Sequence, residues 1–408
     1  MRKKLVVIGN GMAAGRTIEQ LLARAPSAYA ITVFGAEARV NYNRIMLSPL
    51  LAGEKSFSEI VIHDEDWYAR HGVKLRRGEK VVEIDRIRKS VRTEGGDIFA
   101  YDELVIATGS QPIVIPVPGA DLPGVVTFRD LDDVDAMLTA AKTGGDAVVI
   151  GGGLLGLEAA AGLAARGMRV AIVHLMATLM ERQLDPDAGE LLRAAVEERG
   201  IEVLTRANTR AIVGEARVSG VQLADGRMLP ADLVVMAVGI RPNAALAKSA
   251  GLDVKRGVTV DDFMRTSDPA IHAVGECVEH RGACYGLVAP LYDMADTLAA
   301  RLAGAGSDGF SGALASTRLK VTGIDLFSAG DFSDRPDHQD IVLRNPARGV
   351  YKRVVLRDDR IVGAVLYGDA ADGGFYFDLL RRGADIAPMR DSLIFGNSCQ
   401  PAPGARLP

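Results

Sequence analysis

The chain has 408 residues, 48% of them apolar and 25% charged, with a formal net charge of −4. This is the composition of a soluble globular protein with room for two or three domains, and it excludes a disordered or fibrous chain. The weakly acidic balance gives no reason to expect nucleic acid, no block of like charge suggests a membrane surface, and no apolar run is long enough to cross a bilayer.

Arg2, Lys3 and Lys4 lead into an apolar stretch that Gly9 cuts off, too short for a signal peptide, so a cytoplasmic protein is expected. Lys4–Ile8 reads as a buried parallel strand and Arg16–Ala25 as the helix after it; between them lies Gly9-Asn10-Gly11-Met12-Ala13-Ala14-Gly15. A second strand is expected at Ala30–Phe34, β-rich sequence from Val73 to Tyr101, and a strand from Tyr101 ending in the small-residue turn Ala107-Thr108-Gly109. Pro112, Pro116 and Pro118 then predict an extended, helix-incompatible crossover.

From about Gly119 the pattern repeats. Ala147–Ile150 predicts a strand, Gly151-Gly152-Gly153-Leu154-Leu155-Gly156 a second glycine-rich loop, and Leu157–Arg166 a helix. Arg169–Val173 follows as a strand, a helix runs through Asp187 to Arg199, Ala224-Asp225-Gly226-Arg227 signals a hairpin, and a strand closes at Gly239. The two loops lie about 140 residues apart, so one nucleotide-binding domain is inserted in another. A helix near Tyr292–Ala303 and a Gly/Ser-rich connection at 304–312 precede strands at Arg318–Val321, Gly349–Leu356 and Ile361–Tyr367 and a helix at Gly374–Arg382. The expected division is 1–118 with 240–312, then 119–239 inserted, then 313–395 as an α+β domain, with 396–408 an irregular tail.

Glycine permits a tight turn and close approach to a pyrophosphate, whose charge is met by N–H groups at a helix N-terminus. Two such loops, each in strand-turn-helix context, imply two dinucleotides and an exchange between them. The three cysteines, Cys277, Cys284 and Cys399, form neither a disulfide framework nor an iron–sulfur ligand set, and no metal site is expected.

Thr266–Glu276 resembles the second FAD motif of the two-dinucleotide-binding flavoprotein reductases, with Glu276 where most have aspartate. Around Val40–Ser48, Gly53–Ser56, Leu179–Asp185, Gly275–Gly282, Tyr285–Leu291 and Lys320–Asp331 the chain resembles, over nearly its whole length, the FAD-binding portion of the NAD(P)H-dependent nitrite reductase large subunit. The resemblance implies an α/β fold of two nested Rossmann-like dinucleotide-binding domains plus a C-terminal α+β domain. It also implies FAD held by Gly9, Gly11, Met12, Ala13, Ala14, Glu37, Arg44, Lys55, Val82, Ala107, Thr108, Gly109, Gly275 and Glu276. Arg44 would supply a bidentate cation for phosphate. NADH, with NADPH as the alternative, would take Gly151, Gly153, Leu154, Leu155, Gly156, His174 and Gly239. His174 stands where NAD-binding domains commonly carry Asp or Glu for the ribose.

Glu158 and Lys55 are the candidate catalytic residues beside the flavin. Related ferredoxin reductases carry a carboxylate near the position of Glu158 and a lysine after Leu-Ser, where this chain has Pro49 after Leu47-Ser48. Disulfide reductases, peroxidases and NADH oxidases of this architecture need cysteine beside the flavin, and the first cysteine here is Cys277. The expected function is therefore an FAD-dependent NAD(P)H oxidoreductase passing electrons to an external partner, an iron–sulfur protein or a nitrite or nitrate reductase catalytic chain. The alternatives are a general ferredoxin or rubredoxin reductase and, from another class, a flavin-containing redox sensor or assembly subunit. Oligomeric state is not legible.

Overall fold

Lys3–Ile8 is buried over its last four positions, as a central parallel strand covered on both faces requires. In this computed structural model, which describes residues 2–312, 316–321 and 323–397, that strand is the middle of a five-stranded parallel sheet. The order is Ile271–Ala273, Glu103–Ile106, Lys3–Ile8, Tyr29–Gly35, Lys74–Arg77. Asp146–Ile150 holds the same place in a second parallel sheet, ordered Val125–Thr127, Leu233–Met236, Asp146–Ile150, Arg169–Val173, Glu202–Leu204. The internal repeat is thus a repeat of topology. In each sheet the strand order reverses beside the central strand, which puts the glycine loop at the switch point where such sheets bind ligands. Each sheet is accompanied by a three-stranded antiparallel sheet, Val81–Asp85, Ser90–Thr93 and Ile98–Ala100 in one case and Thr209–Gly214, Val218–Leu223 and Met228–Pro230 in the other. The hairpin signal at 224–227 lies at a turn, with Gly226 at φ +92.

Both helices after the glycine loops begin earlier than their apolar periodicity predicts, at Met12–Arg24 and Leu154–Ala165. The first turn starts directly at the glycine and carries little periodic signal. A helix at Leu131–Thr143 was not expected. The C-terminal sheet is antiparallel and five-stranded: Ser316–Val321, Ile324–Gly330, Arg360–Tyr367, Val350–Arg357, Gln339–Asn345. Helix Gly373–Arg382 covers it, with Phe327, Ile361, Leu366, Tyr376 and Leu379 in a shared core.

The chain forms two units. One gathers residues up to 113, 129–131 and 239–312; the other gathers 114–128, 132–238 and the C-terminal sheet. The segment expected as a third domain therefore keeps its own core yet groups with the second unit. Polar contacts join this segment to the rest of that unit. Asp185, 3% exposed, caps helix Pro186–Glu197 by accepting from Ala188 N–H at 3.0 Å. It also accepts from the Tyr351 hydroxyl at 2.6 Å and from Arg353 at 3.3 Å, while the Tyr367 hydroxyl donates to the Leu191 carbonyl at 3.1 Å. Cys277 is buried, Cys284 half-buried, and both are free thiols; Cys399 and most of the expected tail lie outside the described residues.

Candidate functional site

Each glycine of the second loop has its own physical reason. Gly151 has φ +120, and a Cβ there would lie 2.3 Å from the Ala237 carbonyl oxygen. A Cβ on Gly156 would lie 1.9 Å from the Gly151 carbonyl oxygen, so this position sets the contact between strand and helix. Gly153 differs: its φ of −83 suits any residue, and a Cβ would meet nothing within 4 Å. The first loop matches at two positions. Gly9 has φ +112 and its Cβ would sit 2.1 Å from the Ala107 carbonyl oxygen, while Gly11 has φ −82 and open space. Ala14, buried, takes the third place. Gly11 and Gly153 are also the N-caps of their helices, and neither helix receives a side-chain cap. The fold requires Gly9, Gly151 and Gly156; close approach from outside is what Gly11 and Gly153 permit. Met12, Ala13, Leu154 and Leu155 supply the first-turn amides.

In the first unit the remaining candidates converge on one polar chain. The Tyr42 hydroxyl donates to Glu37 at 2.6 Å, Arg44 pairs with Glu37, and Arg44 also donates to the Arg129 carbonyl at 2.9 Å. Arg129 in turn pairs with Glu276, which accepts from the Ser110 hydroxyl at 2.8 Å. Burial works against the Arg44 charge, but Tyr42 and Glu37 outweigh it and the guanidinium is held above its ordinary range. Burial, followed by Glu37, pushes the Tyr42 phenol upward. Gly275, at φ +93, packs against Ala13 with 3.0 Å for a Cβ, which brings the second FAD-type motif onto the first glycine loop. The Thr108 hydroxyl donates to the Asn243 carbonyl at 2.6 Å, and Gly109, at φ +66, faces Arg129. Ala107 N–H donates to Ile8 O at 2.8 Å. Val82 lies half-buried on strand Val81–Asp85.

Three candidates stand apart. Lys55 is on an exposed turn and donates to Glu59 at 3.0 Å. The Ser56 amide, then Lys55 and the Ser56 hydroxyl, hold the Glu59 carboxyl down at about 2. Gly239 is grouped with the first unit and the other nicotinamide candidates with the second; its carbonyl accepts from Ile113 N–H at 2.9 Å. His174 does not face outward as a ribose ligand would. It is 7% exposed, accepts from Gly152 N–H at Nδ1 (3.0 Å), and has Nε2 within 3.0 Å of the Thr178 carbonyl and 3.1 Å of Glu181. Glu158 is half-buried on helix Leu154–Ala165.

Arg129 is the residue that sequence reasoning missed. It follows a short strand, Val125–Thr127, and precedes an unexpected helix, so no motif marked it. The usable signal was an arginine next to acidic Asp130, Asp132 and Asp133.

Comparison with known proteins gives the family. The sequence profile of the pyridine nucleotide-disulphide oxidoreductase family matches residues 3–295, and that of the rubredoxin NAD+ reductase C-terminal domain matches 316–383. A nitrite reductase [NAD(P)H] of Bacillus subtilis (strain 168) is 48% identical over 386 residues, covering 95% of this chain and 48% of that protein. The assimilatory nitrate reductase electron transfer subunit of the same organism is 42% identical over 393 residues, 96% of this chain and 51% of that protein. The chain thus spans about half the length of these relatives. Putidaredoxin reductase, solved as a covalent complex with putidaredoxin, superposes with a TM-score of 0.85 at 26% identity over 94% of each chain. With two parallel sheets and two glycine loops, the chain belongs to the pyridine nucleotide-disulphide oxidoreductase family and is an oxidoreductase of flavin and nicotinamide nucleotide.

Proposed function

We propose that the first unit binds FAD, that the second binds NADH with NADPH as the alternative, and that electrons leave for an external metal centre. The carrying observation is the pair Gly11 and Gly153, glycine where neither backbone angle nor packing requires it. In this reading the Gly9–Ala14 loop receives the FAD pyrophosphate, Arg44 and Arg129 neutralise it, and Glu276 accepts from the ribityl chain. Glu37 and Val82 lie toward the adenosine, and Ala107, Thr108, Gly109 and Gly275 close the crossing. When bound, the flavin supplies two-electron acceptance from nicotinamide and one-electron release to a metal centre. Glu158 is the proposed carboxylate on the nicotinamide side. Lys55, which pairs with Glu59 on an exposed turn, is the proposed lysine at the flavin, and Gly239 a proposed backbone contact to the nicotinamide dinucleotide.

The acceptor we favour is an iron–sulfur protein or the catalytic chain of a nitrite or nitrate reductase, in the cytoplasm where the nicotinamide donor is available. The relatives at 42 and 48% identity support this. The match of 316–383 to a rubredoxin NAD+ reductase domain favours a second reading, a general ferredoxin or rubredoxin reductase. Steady-state reduction of a panel of purified acceptors by NADH decides: preference for a sirohaem or molybdenum enzyme supports the first reading, preference for rubredoxin the second. Replacing Glu276 with alanine removes the carboxylate partner of Arg129 and one acceptor for the flavin. Flavin affinity is expected to fall about tenfold, the scale of one charge-assisted hydrogen bond. Equilibrium titration of the apoprotein with FAD checks this.

A further inference from the structure

The middle residues of the two glycine loops are anchored in different ways. In the first, the Asn10 side chain accepts from the Tyr68 hydroxyl at 2.6 Å and its carbonyl from the Asn41 amide at 2.8 Å. In the second, Gly152 has no side chain, and both of its backbone groups are taken by the segment that follows strand Arg169–Val173. Its N–H donates to His174 Nδ1 at 3.0 Å, and its carbonyl accepts from Met180 N–H at 3.0 Å. The packing is as close as the bonding: a Cβ on Gly152 would lie 2.6 Å from Leu179 Cδ2 and 2.7 Å from His174 Cγ. Met180 itself adopts φ +52, a left-handed conformation unusual for its side chain. An acceptor at Nδ1 leaves the proton of the neutral ring on Nε2, where the Thr178 carbonyl and Glu181 receive it.

We infer that His174 is a positioning residue for the nicotinamide dinucleotide: it fixes Gly152, and through it the direction of the amides after Gly153, without touching the ligand. This rests on the reading of 151–156 as the nicotinamide loop. The residue at the end of this strand therefore acts on the phosphate cradle from behind and does not read the ribose.

The test uses the full-length flavin-loaded protein, with NAD+ binding followed by calorimetry and NADH-dependent flavin reduction followed by stopped flow. Leucine at 174 keeps bulk and loses the acceptor; asparagine keeps an acceptor near Nδ1. For His174→Leu, the Kd for NAD+ and the KM for NADH are expected to rise about tenfold, as loss of one hydrogen bond to an ordered loop would give. The limiting reduction rate and flavin content stay as in the parent. His174→Asn is expected to recover most of the affinity, and Gly152→Ala, which pushes against the imidazole, to weaken binding as His174→Leu does. Should His174→Leu fail to fold, Gly152→Ala and His174→Asn carry the comparison. Unchanged affinity in His174→Leu or Gly152→Ala, or His174→Asn no better than His174→Leu, overturns the inference. If the parent protein binds no NAD+ and its flavin is not reduced by NADH, it is the nicotinamide reading that fails.

Discussion

Gly156→Ala is expected to abolish most nicotinamide-dependent flavin reduction while leaving bound flavin in place. The added methyl would lie 1.9 Å from the Gly151 carbonyl oxygen and 2.9 Å from its carbon, both backbone atoms that cannot rotate away. Relief requires the start of helix Leu154–Ala165 to move off strand Asp146–Ile150, which turns the first-turn amides away from the pyrophosphate. Alanine is the better helix former by about 1 kcal/mol, but overpacking of this kind costs about 1–3 kcal/mol, so the steric effect wins. A cost of about 1–3 kcal/mol carried into binding corresponds to roughly a five- to hundredfold rise in KM. Gly153→Ala separates cause from consequence. Its Cβ meets nothing within 4 Å, so the thermal transition should not fall, yet the pyrophosphate can no longer approach the backbone. Stopped-flow reduction and thermal melting of both variants check this. Wild-type KM in Gly153→Ala would contradict the assignment of the loop.

Asp185→Ala is expected to be among the most destabilising single changes in the second unit. The carboxylate is buried, caps helix Pro186–Glu197, and accepts from Tyr351 and Arg353 on strand Val350–Arg357. Losing an N-cap costs about 1 kcal/mol, and a buried hydroxyl left without its acceptor costs about 1–3 kcal/mol more. Arg353 keeps Asp334 at 2.6 Å and Asp340 at 2.9 Å, so its charge stays compensated and the penalty stops short of an orphaned buried cation. A total near 3 kcal/mol lowers the melting temperature by roughly 6–12 °C for a unit of this size. Asp185→Asn, which retains the cap, should lose less. Calorimetric melting curves measure both, and a melting temperature unchanged in Asp185→Ala would show that the cap and the Tyr351 contact carry no weight.

What the sequence made legible was whatever is local and periodic. The apolar runs before Gly9 and Gly151 are central strands, the hairpin at Asp225-Gly226 is a turn, and Pro112 lies in extended chain. Long-range pairing was legible only in part. Glu276 was singled out because its motif is contiguous, whereas its partner Arg129 is 147 residues away in sequence and belongs to no motif. The strand Gln339–Asn345 was not expected because it is an edge strand with polar, exposed positions and so carries little apolar alternation. The bond from Gly152 to His174 was not legible, since nothing in a linear sequence says whether a side chain at a strand end turns outward or back beneath the neighbouring loop.

In the proposed route a flavin on the first unit takes electrons from a nicotinamide on the second and gives them to a centre outside this chain. Its most direct measurement is an anaerobic titration of the purified protein with NADH, watching the flavin absorption, followed by addition of an oxidised iron–sulfur protein. Stoichiometric bleaching of one FAD per chain is expected within the mixing time or shortly after, with return of the oxidised flavin spectrum as the acceptor is reduced. Protein that carries no flavin, or a flavin that neither NADH nor NADPH bleaches, would contradict it.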